Sequence, residues 1–263
     1  MKYSKSQFNK FILPIIQKII GKHEKGKTLI IGIQGGQGTG KTTLVRVLKK
    51  ELKKKGYKVQ SFSIDDFYET YEKRQKLAKT HKDNPFYQIS RGLPGTHRVK
   101  YLYDTLRKIK QGKPFEIPIF DKSLHNAVGD VLNKTIKVKE KQDFILFEGW
   151  CLGIPCVSLK TFFRICKTDI KAKHCKVVLQ HIKQYEKLWK FIDYLIMMEA
   201  KSPNLYQKWR YKQEKELKKK TGRGMSKKQV YYFVSLYLPF TRLCCAKVKP
   251  DLKLRINERH KFY

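Results

Sequence analysis

The apolar positions change period repeatedly along the chain. Phe8, Phe11, Ile12, Ile15, Ile16, Ile19 and Ile20 recur at i, i+3, i+4 and i+7, one face of a surface helix over residues 5–20, although Pro14 and Lys18 interrupt it. After a short linker at 21–27, a β-branched run from Thr28 predicts a first strand, and Thr43, Leu44 and Val45 open an amphipathic helix over 41–55 that stops at Gly56. Residues 58–64 (KVQSFSI) predict a second strand that delivers Asp65-Asp66-Phe67-Tyr68 at its carboxyl end, where open parallel sheets bind ligands. Helices are expected over 71–79 and 98–110, the latter with Tyr101, Leu102, Leu106 and Ile109 on one face. DFILF at 143–147 reads as a buried parallel strand ending in Glu148-Gly149-Trp150. Beyond it come a helix at 177–189, a strand at 191–198 and a highly charged helix at 205–220. A further helix at 226–238 has Ser226 and Gln229 at capping-box spacing and stops at Pro239, and 252–256 is a last strand. Two stretches, 84–97 (NPFYQISRGLPGTH) and 114–129 (PFEIPIFDKSLHNAVG), read as long irregular loops, and loops of that length tend to be functional. Strands alternating with helices predict an α/β fold: a doubly wound parallel sheet flanked by helices.

Composition narrows this picture only in part. The 263 residues suit one domain, and 41% hydrophobic with 13% aromatic residues argue against disorder. A net charge of +37 would by itself suggest a polyanion partner. The excess is mostly lysine spread from end to end, so solvated faces are expected rather than a dedicated groove, and either arrangement attracts anionic substrates. The six cysteines lack paired C-x-x-C spacing, which fits reduced thiols in a cytosol, and no signal peptide or transmembrane run is found. A cytoplasmic protein with no specific nucleic-acid or membrane partner is the expectation.

The glycine-rich segment changes the picture most. Gly35-Gly36-Gln37-Gly38-Thr39-Gly40-Lys41-Thr42-Thr43 fits G-x-x-x-x-G-K-[ST], the Walker A phosphate loop, between a strand and a helix as that motif requires. Glycines let backbone N–H groups approach phosphate oxygens, and the helix N-terminus adds partial positive charge. Lys41 would reach the β- and γ-phosphates of ATP, and Thr42 would offer its hydroxyl to Mg²⁺. Glu148 stands where a Walker B acid sits, a second oxygen ligand for the metal. Asp65 is the candidate general base, with Asp66 as substitute; either could instead cap the following turn. Residues 203–225 are rich in Lys, Gln and Glu and fit a mobile helical lid. His174, Cys175 and His181 lack the companions a metal site needs, and Tyr231, Tyr232, Phe233 and Tyr237 beside Lys227 and Lys228 read as core positions rather than a stacking platform.

SIDDFY (63–68), NPFYQISRGLPGTH (84–97), PIFDKS (118–123), FEGWCLG (147–153) and the stretch from Tyr206 through WRYKQEKELKKKTGRGMS to Ser226, taken in order, resemble the D-glycerate 3-kinase family. This is a branch of the P-loop kinases related to uridine kinase, phosphoribulokinase and pantothenate kinase, and the resemblance covers nearly the whole chain. It implies the P-loop containing nucleoside triphosphate hydrolase fold with a helical lid, and ATP-dependent phosphorylation of a hydroxyl on a small metabolite, D-glycerate first. By motif, Asp65 matches the base and Glu148 the metal acid. Arg91, His97, Asp121 and Lys122, with Asp66 and Tyr68, fall in acceptor-binding segments, and Arg210 falls where the lid supplies an arginine to the triphosphate. A carboxylate acceptor needs a cationic fork, for which Arg91 is suited. The sequence departs from the family at three points. Arg98 stands where Asp commonly follows RGLPGTH, and the G-x-G-D-R loop reads Ala127-Val128-Gly129-Asp130-Val131, without one glycine and the arginine. Remaining alternatives are a uridine- or pantothenate-type acceptor, or a basic ATP-binding protein that docks polyanions.

Overall fold

The β-branched run after the N-terminal helix forms strand β1, Leu29–Gly35, buried along almost its whole length. The computed structural model describes residues 3–89, 91–222 and 224–263. Ser90 and Arg223, within two of the motif segments above, lie outside the described residues. β1 is the centre of a five-stranded parallel sheet ordered β2-β5-β1-β6-β7, where β2 is Val59–Ser63, β5 Phe144–Gly149, β6 Tyr194–Ala200 and β7 Leu252–Ile256. β5 and β6 flank β1 in parallel, with Ile33 opposite Glu148 on one side and Ile196 on the other. The strand order therefore reverses at β1, and the crevice at its carboxyl end is the expected ligand position.

Both faces of this sheet are covered, which is why its strands read as continuous apolar runs. On one face Ile31, Ile33, Leu146 and Ile196 pack on Leu44 and Leu48 of the helix Lys41–Lys54 and on Ile12, Ile16 and Ile19 of the N-terminal helix. On the other, Ile30, Ile145 and Phe147 meet Leu102 and Leu106 of Val99–Lys110, Val178 and Ile182 of Ala172–Trp189, and Phe240 of Lys227–Lys247.

Several elements differ from the sequence expectations. The N-terminal helix accommodates Pro14 through a π turn over Phe8–Ile12, in which the Leu13 amide reaches back to the Phe8 carbonyl, and continues as Leu13–Gly21. The stretch 114–129 is not irregular throughout: Phe115–Asp121 (β3) pairs antiparallel with Asp130–Val138 (β4) in a separate two-stranded ribbon. The helix expected to stop at Pro239 runs on to Lys247. A short helix, Leu159–Cys166, joins the core where none was expected. Of the aromatics near Lys227, Tyr237 is in the core, whereas Tyr232 is 56% exposed. Among the described residues no helix is long and apolar enough to cross a membrane.

Candidate active site

β1 ends directly in the glycine-rich loop, and the helix Lys41–Lys54 starts at Gly40, whose φ of 95° lets the chain turn back toward the sheet. The loop is tight at Gly38: with φ 76°, an added Cβ there would lie 2.5 Å from the Cβ of Trp209. Trp209 belongs to the helix Asn204–Thr221, which therefore lies against the loop. Lys41 Nζ folds over the same loop and donates to the Gly35 and Gly36 carbonyls at 2.7 and 3.1 Å. Burial pushes its ammonium below the ordinary lysine range, while the Glu148 and Asp65 carboxylates pull the other way.

Glu148 stands at the end of β5, in register with β1, and its two oxygens accept from the Thr42 hydroxyl at 2.9 and 3.1 Å. Burial raises this carboxyl above its usual range, against the pull of Lys41 and the Thr42 bond. A hydroxyl and a carboxylate converging at the mouth of a phosphate loop form the hard oxygen set that Mg²⁺ prefers, so the residues present fit that ion.

The two aspartates after β2 are adjacent within a 3-10 turn, Ile64–Phe67, and face different partners. Asp66 accepts from the Ser63 amide at 2.7 Å and closes a capping box, and burial pushes its carboxyl up to about 6. Asp65 points the other way: Tyr68 donates to one oxygen at 2.8 Å and Lys122 to the other at 3.2 Å. Burial alone would raise Asp65, but Lys122, His97 and Tyr68 outweigh it and hold it below the usual carboxylate range. Of the two, the structure thus gives the cap to Asp66 and a charged, site-facing carboxylate to Asp65.

RGLPGTH is clipped onto this turn. Tyr68 and His97 form an antiparallel bridge, Glu69 donates from its amide to Thr96 at 2.9 Å, and the Arg98 amide donates to Phe67 at 2.7 Å. The rings of Tyr68 and His97 stack at 4.5 Å. Burial pushes His97 down to about 4, so its ring is neutral. The loop is braced from behind: Trp150 donates its indole N–H to the Gly92 carbonyl at 2.8 Å, and Tyr237 its hydroxyl to the Arg91 carbonyl at 2.8 Å. Gly92 has φ 119°, and a Cβ there would come within 1.7 Å of the Tyr237 hydroxyl. Gln34, the β1 residue just before the phosphate loop, donates to the Trp150 carbonyl at 2.9 Å.

Other expected site residues are engaged within the protein. Arg91 donates to the Ala127 carbonyl at 2.9 Å and to the Val128 carbonyl. Asp121 accepts from the Ser123 amide and hydroxyl at 2.8 and 2.6 Å. Arg210 pairs with the buried Glu214 at 2.7 Å while lying beside the Gly38 turn. At the family departures, Arg98 stands at the N-cap of the helix Val99–Lys110 with its guanidinium over Tyr101 at 5.1 Å. Ala127 adopts φ 68°, next to His125 at 49° and Asn126 at 54°; the missing glycine falls where a left-handed backbone strains an alanine. Sequence reasoning missed Arg74, Trp150 and Tyr185. Buried Arg74 donates to the Glu69 and Val128 carbonyls at 3.0 and 3.3 Å and also to Gly129. An arginine on the first helix after the DDFY turn, in a chain that otherwise prefers lysine, was the available signal.

A phosphate loop, an oxygen pair at its mouth and an ionised aspartate facing both define a P-loop phosphotransferase. Residues 30–153 match the phosphoribulokinase / uridine kinase family. The "Uncharacterized kinase mug58" of Schizosaccharomyces pombe is 34% identical, covering 87% of this chain and 86% of that protein. The "D-glycerate 3-kinase, chloroplastic" of Arabidopsis thaliana is 33% identical over 80% of this chain and 46% of its own length. Among solved structures, D-glycerate 3-kinase from Cryptococcus neoformans superposes with a TM-score of 0.84 and 26% identity, covering 99% of this chain and 98% of that one. The chain belongs to the phosphoribulokinase/uridine kinase family, and its relatives there include D-glycerate 3-kinases; it is an ATP-dependent kinase.

Proposed function

We propose that this kinase transfers the γ-phosphoryl group of ATP to a hydroxyl of D-glycerate. The observation that carries the reading is Asp65: a carboxylate kept ionised at the mouth of the phosphate loop, on a turn to which the RGLPGTH loop is clipped. The glycerate part draws support from the names of the relatives and from the donors that line this wall, Lys122, Tyr68 and His97.

In this reading the amides of Gly36 to Thr43 hold the phosphates, and Lys41 leaves the Gly35 and Gly36 carbonyls for the β- and γ-oxygens. Thr42 and Glu148 hold Mg²⁺, which when bound neutralises charge on the phosphates. Asp65 orients the acceptor hydroxyl and takes its proton as the oxygen bonds to phosphorus and the bond to ADP breaks. Arg210 exchanges Glu214 for the triphosphate as the helix Asn204–Thr221 closes as a lid. The acceptor carboxylate is held by Lys122 and the donors of the RGLPGTH loop.

The test is ATP consumption against D-glycerate, uridine, cytidine, pantothenate and ribulose 5-phosphate. Turnover with D-glycerate alone is expected, lost in Lys41→Ala and in Asp65→Asn, the latter with ATP affinity retained. Turnover with a different acceptor would overturn the glycerate assignment, and normal turnover by Asp65→Asn would remove the base.

A further inference from the structure

Behind the acceptor wall lies a hydroxyl that no motif marks. Tyr185, on the helix Ala172–Trp189, has 0% of its surface exposed, and its Oη lies 2.9 Å from His97 Nδ1. The same oxygen accepts from the Gly95 amide at 3.1 Å. A backbone N–H thus takes one of its lone pairs, and among the described residues its proton has one partner, Nδ1 of His97.

A neutral imidazole that accepts at Nδ1 carries its proton on Nε2. Nε2 has no hydrogen-bond partner among the described residues, although His97 is only 4% exposed. The opposite tautomer would leave two buried groups unpaired, the Tyr185 hydroxyl proton and Nε2, rather than one. The ring lies flat on Tyr68, whose hydroxyl binds Asp65, so this donor sits in the wall that carries the base.

We propose that Tyr185 is a positioning residue for acceptor recognition: it fixes His97 as the Nε2–H tautomer, and that N–H is kept for an oxygen of the acceptor. The role rests on the kinase reading above, with the acceptor an oxygen-rich small molecule whose carboxylate or hydroxyl supplies the missing partner. His97 needs no change of charge to serve, because a neutral N–H donor suits either group.

The tautomer is read directly from long-range ¹H–¹⁵N correlations of histidine-labelled protein at neutral pH, with His97 assigned by loss of its signals in His97→Gln. The wild type is expected to show protonated Nε2 and unprotonated Nδ1, and Tyr185→Phe to show a mixture or the reverse. In kinetics, Tyr185→Phe should raise the KM for D-glycerate about tenfold, the cost of roughly one hydrogen bond, with kcat and the KM for ATP nearly unchanged. In a His97→Gln background, where an amide N–H replaces Nε2–H and no tautomer exists, adding Tyr185→Phe should change the glycerate KM no further. A protonated Nδ1 in the wild type overturns the inference whatever the acceptor is. An equal KM penalty in both backgrounds reduces Tyr185 to a packing residue and overturns it as well. If the wild type does not phosphorylate glycerate, the functional reading and the glycerate half of the inference fail together, while the spectrum still decides the tautomer.

Discussion

Asp66 and His97 oppose one another in their response to pH. Asp66, at about 6 against an ordinary 3.8, holds a proton in the folded state that the unfolded chain has released. His97, at about 4 against 6.5, refuses a proton that the unfolded chain takes up. Between about pH 4 and 6 the two cancel, since folded and unfolded chains each carry one of these protons. Single substitutions expose the halves. In Asp66→Asn the His97 contribution stands uncancelled, the unfolded state binds the extra proton, and stability relative to the wild type should climb with pH by up to about 1.4 kcal/mol per unit across that window. In His97→Gln the Asp66 contribution stands uncancelled, and stability relative to the wild type should fall with pH across the same window. Urea unfolding at pH 4.5, 5.2 and 6 checks both signs, and matching slopes in the two variants would contradict the assignment. At this scale the chemistry of the DDFY turn was legible, but not the division of labour within it. Either aspartate could cap by residue type, and it is the bond from the Ser63 amide that assigns the cap to Asp66. The Arg91 and Arg74 contacts with the 127–129 carbonyls join segments more than 30 residues apart, which no local pattern records.

Elements were legible where burial imposes a period and hidden where it does not. The five strands of the parallel sheet were all anticipated. β4 was not, because only Val138 of its nine residues is buried, and the others, polar and apolar alike, are half-buried or exposed. The helix through Pro239 misleads in the other direction. Proline in a helix interior costs about 3 kcal/mol, yet Leu236, Phe240 and Leu243 are buried around it, each contributing roughly 1.5–3 kcal/mol. Packing outweighs the lost hydrogen bond. The docking of Asn204–Thr221 on the phosphate loop can be tested through its contact point. Gly38→Ala combines a left-handed φ with a collision at Trp209, and should weaken ATP binding at least tenfold, about 1.4 kcal/mol. Gly56→Ala has a comparable φ of 86° in open space, and should cost about 1–2 kcal/mol of stability with ATP affinity unchanged. Equal ATP affinities in the two variants, measured by titration calorimetry, would mean that the helix does not rest on the loop in solution.

For the molecule as a whole, a charge of +37 is a property of its surroundings more than of its fold. Described ion pairs such as Lys58–Glu140 and Lys27–Glu24 are largely exposed and add little stability. Their consequence is long-range attraction of ATP and an anionic acceptor. Raising ionic strength from about 0.05 to 0.3 M should lower kcat/KM for ATP several-fold with kcat nearly constant, as the screening length shortens. RNA should bind only at low salt and leave ATP hydrolysis unaltered; hydrolysis stimulated by RNA at high salt would instead favour a polyanion-docking role. One connection described above gives this charged surface a fixed interior reference. Gln34, Trp150 and Gly92 are joined by two hydrogen bonds, and they belong respectively to the strand feeding the phosphate loop, the strand end carrying Glu148, and the RGLPGTH loop. Trp150, through its carbonyl and its indole, therefore works like a surveyor's benchmark: donor, metal acid and acceptor walls are all levelled from one point, so a distortion that reaches Trp150 is passed to all three.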